Sequence, residues 1–448
     1  MLRSIGLAAL SLVILKCSCV AAQNRLEALT PEFGHSIAAS ESTLVVGDPN
    51  ATGGNGMVWT YRQQPQGGWT PALTLQGKPN DSLGYSLAAD GHLLVAGAPG
   101  NRRAYLYNLH DNQLPQPLSF VTQDTDGYGR AVAMHGIFVA VSSPANQFGR
   151  GRVDIYIQSP QNEWNWTQTL HGESGGEAFG HALAMDSEIL LVGAPQAYEP
   201  RGERAGLAYI YERTSGSNWV LQTELRGGSA GYEHAFGTSV ALGTYNQYTR
   251  AVVGAPGASL AYVYTLRMYD WEQTYSFTPV PPVPLTRAGT SIALVEDHVI
   301  IGAPSSSSAQ NGLVWVLRLD ELGAGLHRVN IQGNSSFGHA IAAWKDQYAI
   351  AEPGVAVHIF AKNSVLSREE APEYIKLEAY PNPFTESVTL AFSSNAPDQL
   401  FITDISGRLI TSIARKGQNH IHWYPRTLAA GIYIVSAGTI SKPIIRLP

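Results

Sequence analysis

Short stretches of alternating apolar and polar residues recur along the chain, and each ends at a glycine or a proline. In one example, FGHALAMDSEILLVGAP at residues 179–195, small residues lead into the apolar run Ile-Leu-Leu-Val before Gly-Ala-Pro. Apolar runs of this length, bounded by such residues, are typical of β-strands rather than helices. The pattern therefore predicts a chain built from many short strands.

This segment is one of seven copies of a repeat. The copies occupy residues 33–49, 83–99, 128–144, 179–195, 236–256, 288–304 and 337–353, and their first glycines, from Gly34 to Gly338, lie 45 to 57 residues apart. The fifth copy is longer by four residues around Tyr245–Tyr248. Most copies are followed by a short aromatic strand and then by a segment led by tryptophan. Four strands per repeat of this length predict the blades of a seven-bladed β-propeller.

Two details of the repeat make further predictions. The first strand of each blade is expected to include the Phe-Gly pair, with Phe179, His181 and Leu183 on one face and small residues on the other. The seventh copy lacks a fourth strand, whereas a strand-like stretch at residues 25–29 precedes the first copy. The N-terminus is therefore predicted to complete the last blade and close the ring, which removes two open strand edges.

The repeat resembles the FG-GAP family, the propeller of integrin α-subunits and of many secreted bacterial proteins, over residues 25 to about 362. The resemblance implies an all-β fold. Many members of that family carry a calcium loop between the two halves of the motif. Here those spans read SEST, ADGH, MHGI, MDSE, VEDH and WKDQ, which lack the oxygen ligands that calcium requires. Asp124-Thr-Asp126 is interpreted as a plain turn, so neither a metal nor another cofactor is predicted.

The first 22 residues have the features of a secretory signal peptide. A basic Arg3 precedes an apolar run, and small residues up to Ala22 precede Gln23, which predicts cleavage after Ala22. Lipoprotein processing at Cys17 or Cys19 is the alternative. Both cysteines of the chain lie in this segment, so no disulfide is expected in the propeller, residues 23–362.

Charge and hydropathy exclude two classes of partner. The net charge is −6, only 14 % of the residues are charged and no basic run occurs, which argues against binding to nucleic acid or to an anionic membrane. After the signal peptide, no apolar stretch approaches the ~20 residues that a transmembrane helix needs. The sequence therefore predicts a protein that is exported but has no transmembrane segment.

The sequence changes character after residue 362. Residues 363–374 are polar and predict a linker, and residues 375–448 alternate as about seven short strands, which favours a small Ig-like β-sandwich. This tail resembles the type A C-terminal sorting domain of the type IX secretion system of Bacteroidetes, through YPNPF at 380–384, DISGRL at 404–409 and LAAGIYIV at 428–435. The sorting-motif residues are Pro381, Asn382, Pro383, Asp404, Gly407, Gly431 and Tyr433. The resemblance implies that the secretion machinery and a sortase are partners, and that the protein is then attached to surface lipopolysaccharide or released.

Candidate binding residues are sparse. Trp164 and Trp166 alternate on one strand and could form an exposed aromatic platform, while the elaborate loop 196–206 offers Tyr198, Arg201 and Glu203. Another candidate set is the histidines that follow the first glycine of three copies: His35, His181 and His339. They could hold a metal, but Tyr, Arg or Thr fills the same position elsewhere, which favours a packing role.

These features favour a surface or secreted binding and adhesion module with an extracellular protein or glycan as its ligand. A structural coat or matrix component and an enzyme built on the propeller are the alternatives. The motifs G-x-S-x-G and H-E-x-x-H are absent, so no enzyme activity is predicted. The carboxylates of the fourth repeat (Glu173, Glu177, Glu199 and Glu203) are expected on solvated loops rather than as a catalytic pair for glycoside hydrolysis.

Overall fold

A computed structural model describes most of the chain. The described residues are 24–110, 116–118, 127–199, 204–214, 217–227, 234–279, 287–319, 325–362, 377–380, 382–392, 399–405, 408–414, 418, 420–425, 428–437 and 440–447. The chain forms two compact units, Met1–Arg368 and Glu369–Pro448. The predicted signal peptide at residues 1–22 and the predicted linker at residues 363–374 lie outside the described residues.

Seven four-stranded antiparallel sheets make up the described part of the first unit. Sheets 1 and 2 contain β2 (Ser36–Ser40), β3 (Thr43–Asp48), β4 (Met57–Gln63) and β5 (Trp69–Gln76), then β6 (Leu87–Asp90), β7 (Leu93–Ala98), β8 (Arg103–Asn108) and β9 (Gln116–Leu118). Sheets 3 and 4 contain β10 (Val132–His135), β11 (Phe138–Ser143), β12 (Arg152–Gln158) and β13 (Trp164–His171), then β14 (Ala182–Met185), β15 (Ile189–Ala194), β16 (Leu207–Arg213) and β17 (Trp219–Leu225). Sheets 5 and 6 contain β18 (Ser239–Tyr245), β19 (Tyr248–Ala255), β20 (Leu260–Arg267) and β21 (Asp270–Phe277), then β22 (Ser291–Val295), β23 (His298–Ala303), β24 (Leu313–Leu319) and β25 (Gly325–Gln332). The seventh contains β26 (Ile341–Trp344), β27 (Gln347–Glu352), β28 (Ala356–Ala361) and β1 (Asn24–Glu27). Short helical turns occur at Ala51–Gly54 and Asn146–Gly149, and a 3₁₀ turn occurs at Pro99–Asn101.

The sheets form a closed β-propeller, which confirms the predicted fold class. The first strand of each blade contacts the first strand of the next, and β26 of the last blade contacts β2 of the first. The N-terminal strand β1 pairs antiparallel with β28, so that Asn24 lies opposite Ile359 and Glu27 lies opposite Ala356. The prediction that the N-terminus completes the last blade is therefore confirmed.

The expected position of the Phe-Gly pair is wrong, because each first strand begins two or three residues after the glycine. In blade 4 the strand starts at Ala182, and Gly180 lies in the preceding turn with φ of +88°. The equivalent glycines of the other six copies have φ between +86° and +95°. Glycine adopts this left-handed region without steric cost, which explains why the turn requires it.

The glycine and serine residues of the motif form the junction between adjacent blades. A Cβ at Gly47, Gly97 or Gly193 would lie 2.0 to 2.3 Å from the carbonyl oxygen of the first glycine in the next blade. Beside it, the Ser36 hydroxyl donates to the Gly84 carbonyl at 2.6 Å, and Ser86, Ser239 and Ser291 repeat this bond at the junctions that follow their blades. The repeated sequence therefore reflects a close backbone contact between adjacent blades.

The core lies between neighbouring blades rather than at one centre. One apolar cluster combines Ala140 and Ile155 of blade 3 with Leu190 and Tyr209 of blade 4. A similar cluster joins the last blade to the first, and it includes Leu26 of the N-terminal strand. Each blade therefore depends on both of its neighbours for burial of its apolar surface.

The second unit contains two sheets. Strands β29 (Leu377–Tyr380), β30 (Val388–Phe392) and β33 (His420–Trp423) form one sheet. Strands β32 (Leu409–Ala414), β31 (Gln399–Asp404), β34 (Gly431–Ala437) and β35 (Ile440–Arg446) form the other. Their apolar core contains Phe384, Leu390, Ile402 and Val435. This arrangement agrees with the predicted small β-sandwich.

Candidate binding site at the mouth of the propeller channel

The residue that follows the first motif glycine lies at the mouth of the central channel in each blade. The mouth is on the face that carries the loops between the second and third strands and the loops between blades. Here the ring centroids of His35 and His339 are 5.5 Å apart, and those of His35 and Tyr85 are 5.0 Å apart. The guanidinium carbon of Arg130 lies 5.0 Å from the Tyr85 ring centroid, a cation–π distance. Four consecutive blades thus contribute a continuous arc of neighbouring side chains, which we call the mouth arc: His339, His35, Tyr85 and Arg130.

Burial keeps the histidines at the mouth neutral. Burial lowers the pKa of His181, and the nearby charge of Arg130 lowers it further. The pKa of His35 is lowered chiefly by burial and then by His339, while Glu32 opposes the shift. Burial lowers the pKa of His339 as well. Since an unperturbed histidine has a pKa near 6.5, these imidazoles are uncharged at neutral pH, and Arg130 supplies the positive charge.

The structure bears on the alternative that these histidines hold a metal. His35 and His339 do approach each other, and the Glu32 carboxylate lies 3.7 Å from Nδ1 of His35. Within the described ranges, however, no three histidine, cysteine or acidic residues are grouped so that they could hold a metal ion. A structural metal site normally uses four ligands, so the observed pair does not amount to one.

A cleft of about 310 Å³ opens beside the mouth arc, between blades 3 and 4. Its polar side chains are Arg130, His181 and Gln196. The rest of its lining consists of small residues or proline: Gly127, Pro144, Ala145, Gly149 and Ala178. A concave surface with a few convergent polar groups is typical of a ligand site.

The cleft lies at a junction that departs from the repeat. Blade 3 has Ser142 where most blades have the glycine of Gly-Ala-Pro, and its hydroxyl accepts a hydrogen bond from the Ala131 amide at 3.0 Å. Ala131 in turn occupies the place of the bridging serine, so that bond to the next blade cannot form. A Cβ at Gly180 would lie 2.9 Å from the Ser142 Cβ. The side chain of Ser142 therefore stands where other junctions bring two backbones together. The junction of blades 7 and 1 also departs, with Ala340 and Ala351 at these positions.

The loops around the cleft are tied together. The Ala178 amide donates to the Gly149 carbonyl at 2.8 Å, and a Cβ on Gly149 would lie 3.3 Å from Cα of Gly176. Arg204 donates to the Gly176 carbonyl at 3.1 Å and to Oε1 of Gln196 at 2.5 Å. Its guanidinium also lies 5.9 Å from the ring centroid of Tyr198. These contacts fix the blade 4 loop against the loop that joins blades 3 and 4.

The structure separates the predicted binding residues. Tyr198 is 51 % exposed on the blade 4 loop that borders the cleft, whereas Arg201 and Glu203 lie outside the described residues. The exposed platform of two tryptophans is wrong for Trp164, which is 7 % exposed because it packs between blades 2 and 3 with Leu106 and Tyr156. Trp166 is 43 % exposed on the outer strand of blade 3, and its Nε1 donates to Thr169 at 3.2 Å. Binding by Trp166 and Tyr198 stays a prediction.

The expectation of solvated carboxylates is wrong for Glu177 and Glu199. Glu177 is 4 % exposed and accepts hydrogen bonds from the Ser174 amide at 2.7 Å and the Glu173 amide at 3.0 Å, so it shapes its own loop. Glu199 is 8 % exposed. Buried Asp48 likewise accepts from the backbone of Asn50 and Ala51, both at 2.9 Å. The buried carboxylates of Glu177 and Asp48 thus satisfy loop amides on this face of the propeller.

Sequence reasoning had treated Arg130 only as one of several residues that fill a gap, and it had missed Gln196 as a site residue. A signal for Arg130 was present, because it is the one permanent cation among the seven residues that follow the motif glycines. Gln196 belongs to the loop that had been singled out, but no pattern distinguished it from its neighbours.

The sorting-motif residues have structural roles in the second unit. Asn382 joins two strand ends, since its Nδ2 donates to the Pro443 carbonyl at 3.0 Å and its Oδ1 accepts from the Ile445 amide at 2.8 Å. The peptide bond between Asn382 and Pro383 is cis. Asp404 accepts from the Arg408 backbone and side chain, and the Tyr433 hydroxyl donates to the Ala429 carbonyl. Gly431 begins β34, whereas Pro381 and Gly407 lie outside the described residues.

Comparison with known proteins supports both units. Residues 378–446 match the family described as the secretion system C-terminal sorting domain. Over 139 residues the chain is 32 % identical to integrin α-3 of Cricetulus griseus and of Mus musculus. That alignment covers 29 % of this chain and 13 % of the integrin chain, so the chain spans a small part of the length of these relatives.

Two solved structures share the fold of the first unit. The β-propeller domain of Myceliophteria thermophila Cps50 (Swd1) has a TM-score of 0.50 at 14 % identity, and the match covers 75 % of this chain and 99 % of that domain. A streptogramin B lyase has a TM-score of 0.50 at 11 % identity, and the match covers 75 % of this chain and 97 % of the lyase. At these identities the likeness shows the fold alone.

The chain therefore carries a type IX C-terminal sorting domain behind a β-propeller that is weakly similar to integrin α-subunits. Such a tail indicates a secreted protein, located at the cell surface or outside the cell. In the described part of the chain, no helix has the length and the apolar character needed to cross a membrane.

Proposed function

We propose that the protein is an extracellular binding and adhesion module whose ligand occupies the cleft between blades 3 and 4. One observation carries the proposal. The cleft places an arginine, an uncharged histidine and a glutamine around a concave surface of about 310 Å³. A concave surface with convergent polar groups of this kind is suited to recognising a ligand.

The state of Arg130 supports the proposal. Its side chain is exposed, its guanidinium lies over Tyr85, and no carboxylate pairs with it among the described residues. On a protein of net charge −6, a cation without an acidic partner at a cleft is available to a ligand.

Export is proposed to proceed in two steps. The signal peptide at residues 1–22 directs the chain across the inner membrane, and the tail at residues 375–448 directs it through the outer membrane before a sortase removes it. The protein is then attached at the surface or released. The proposal includes no catalytic role. A lyase is among the proteins that share the propeller fold, but a fold alone does not define the chemistry of a protein.

A labelled chain from Gln23 to Pro448, probed on an array of glycans and extracellular proteins, tests the proposal. Arg130→Gln should lower binding of the ligand so identified, whereas the matched control Arg62→Gln, on an exposed strand position of blade 1, should not. Equal binding by both variants would place the ligand elsewhere. Self-assembly of the purified protein without any ligand would instead favour a structural coat or matrix role.

A further inference from the structure

Phe148 precedes a residue that lines the cleft, and it occupies a left-handed turn that does not require a phenylalanine. It is 100 % exposed, in the helical turn between the second and third strands of blade 3. Its φ and ψ are 58° and 35°, and those of Gln147 are 49° and 58°. This left-handed region is sparsely populated by residues other than glycine, asparagine and aspartate, and an aromatic residue there is strained.

Blade 1 shows what the same turn requires. Its equivalent residues, Thr52 and Gly53, have φ/ψ of 54°/39° and 73°/32°. A Cβ on Gly53 would meet nothing within 4 Å, so neither packing nor space selects a particular side chain there. A glycine therefore suffices to build the turn. The phenylalanine of blade 3 adds strain and an exposed apolar ring, and strained residues of this kind concentrate at ligand sites.

The surroundings of Phe148 connect it to the cleft. The next residue, Gly149, lines the cleft, and a Cβ on Gly175 would lie 3.9 Å from the Phe148 carbonyl oxygen. Next to Gly175, the Gly176 carbonyl accepts the hydrogen bond from Arg204, which lies over the exposed ring of Tyr198. Two residues with exposed aromatic rings thus lie on loops that border a cleft lined by one arginine.

We propose that Phe148 and Tyr198 stack on the sugar rings of an acidic polysaccharide, one with a carboxylate on its sugar units, while Arg130 binds the carboxylate. This inference rests on the proposed binding function and names the chemical class of the ligand. Aromatic faces suit the C–H faces of a pyranose ring, and a guanidinium matches a carboxylate with two parallel hydrogen bonds.

The remaining polar groups favour a glycan over an acidic peptide. His181 is uncharged at neutral pH and Gln196 is neutral, so both suit hydroxyl groups, which donate and accept hydrogen bonds. A single arginine matches one carboxylate per site rather than a run of acidic side chains. The non-polar lining of the cleft is glycine, alanine and one proline, which leaves backbone and open space rather than a deep apolar pocket for a peptide side chain.

Binding of polygalacturonate by the chain from Gln23 to Pro448 tests the proposal, with dextran as the neutral polysaccharide and poly-glutamate as the acidic peptide. Phe148→Gly should lower the affinity for polygalacturonate about tenfold through loss of one stacked ring, and Arg130→Gln should also lower it. The melting temperature of Phe148→Gly should stay the same or rise, because glycine removes the strain.

A matched control is Met268→Gly. Met268 is 96 % exposed with φ of 56°, in the turn between the third and fourth strands of blade 5, on the opposite face of the propeller. This substitution removes the same kind of strain and a comparable exposed apolar side chain. It should leave the affinity for polygalacturonate unchanged.

Other outcomes would refute the role of Phe148, the class of the ligand or the binding function. If Phe148→Gly binds like the wild type while Arg130→Gln does not, the role of Phe148 is wrong and the binding cleft stands. If poly-glutamate binds and polygalacturonate does not, the ligand is an acidic peptide. A lower melting temperature for Phe148→Gly would make the residue structural. Failure of every array and polymer ligand to bind would overturn the proposed function itself.

Discussion

Substitution of Gly193 by alanine tests whether the repeated glycine is required by contact between blades. Gly193 lies in β15 and its φ is not in the left-handed region, so alanine can adopt the same backbone conformation. Without other contacts, the change would stabilise the protein by about 0.4–1 kcal/mol, because alanine restricts the unfolded chain. Contacts at the junction of blades 4 and 5 therefore decide whether Gly193→Ala raises or lowers the free energy of unfolding.

The structure predicts destabilisation. The new Cβ would lie 2.0 Å from the Gly237 carbonyl oxygen and 3.0 Å from its carbon, and both atoms are backbone. Relief requires blades 4 and 5 to move apart, and overpacking of this kind typically costs about 1–3 kcal/mol. The free energy of unfolding should fall by that order, and the melting temperature should fall by several degrees.

Calorimetry and urea denaturation of the two variants Gly193→Ala and Gly175→Ala measure this difference. Gly175 is exposed, has no positive φ, and its new Cβ would have its nearest contact at 3.9 Å. The control should therefore keep or slightly raise the melting temperature. A Gly193→Ala protein that melts at or above the wild-type temperature would refute the proposed reason for the motif glycine.

Four further predictions follow from the fold and the titration of its histidines. Deletion of residues 23–30 removes β1 and leaves open edges, so the protein should become insoluble or melt at a much lower temperature; an unchanged melt would contradict ring closure by the N-terminus. EDTA should change the melting temperature by no more than a few degrees, and a larger drop reversed by calcium would show that the turns bind the ion after all. A chain that ends near Ala371 should fold but stay in the periplasm of its native host. Residues 364–448, fused to a signal peptide and a fluorescent reporter, should carry the reporter out of the cell. Cell fractionation measures both distributions, and the opposite result would exclude sorting by the tail. The melting temperature should fall as the pH drops from 7 to 5, because burial lowers the pKa of His35, His181 and His339 below the unfolded value of about 6.5. In this range the unfolded chain binds more protons than the folded chain, so acid favours unfolding. His181→Gln should reduce this pH dependence, and an unaltered pH profile for the variant would count against burial of a neutral imidazole.

Periodicity in the sequence was sufficient for the fold because closure of the ring imposes a similar contact at most junctions between blades. The position of Pro195 at the end of β15 and the tryptophan that begins β17 both follow from local rules for strands. The boundary of the first strand did not follow. Gly180 is compatible with a strand in the sequence, and only the backbone torsion shows that it lies in a turn.

The candidate site was harder to predict, because its residues are distant in sequence and depart from the repeat individually. Trp164 and Trp166 look equivalent as alternate residues of one strand, but the neighbouring blade covers only the first. Glu177 reads as a loop carboxylate, and its burial depends on amides that the folded loop brings around it. Departures from the repeat, such as Ser142 and Arg130, were visible in the sequence but had no meaning without the junction geometry.

The pairing of β1 with β28 also brings the first and last described strands of the propeller side by side. Asn24 lies opposite Ile359, so the two ends of the ring emerge together. Lys362 is the last described residue of the propeller. Its amide donates a hydrogen bond to the Asp346 carbonyl and its ammonium forms a salt bridge with Glu296. Both partners lie in turns between the first and second strands of their blades. Those turns lie on the face opposite the cleft. The chain therefore leaves the last described strand of the propeller on the face opposite the cleft.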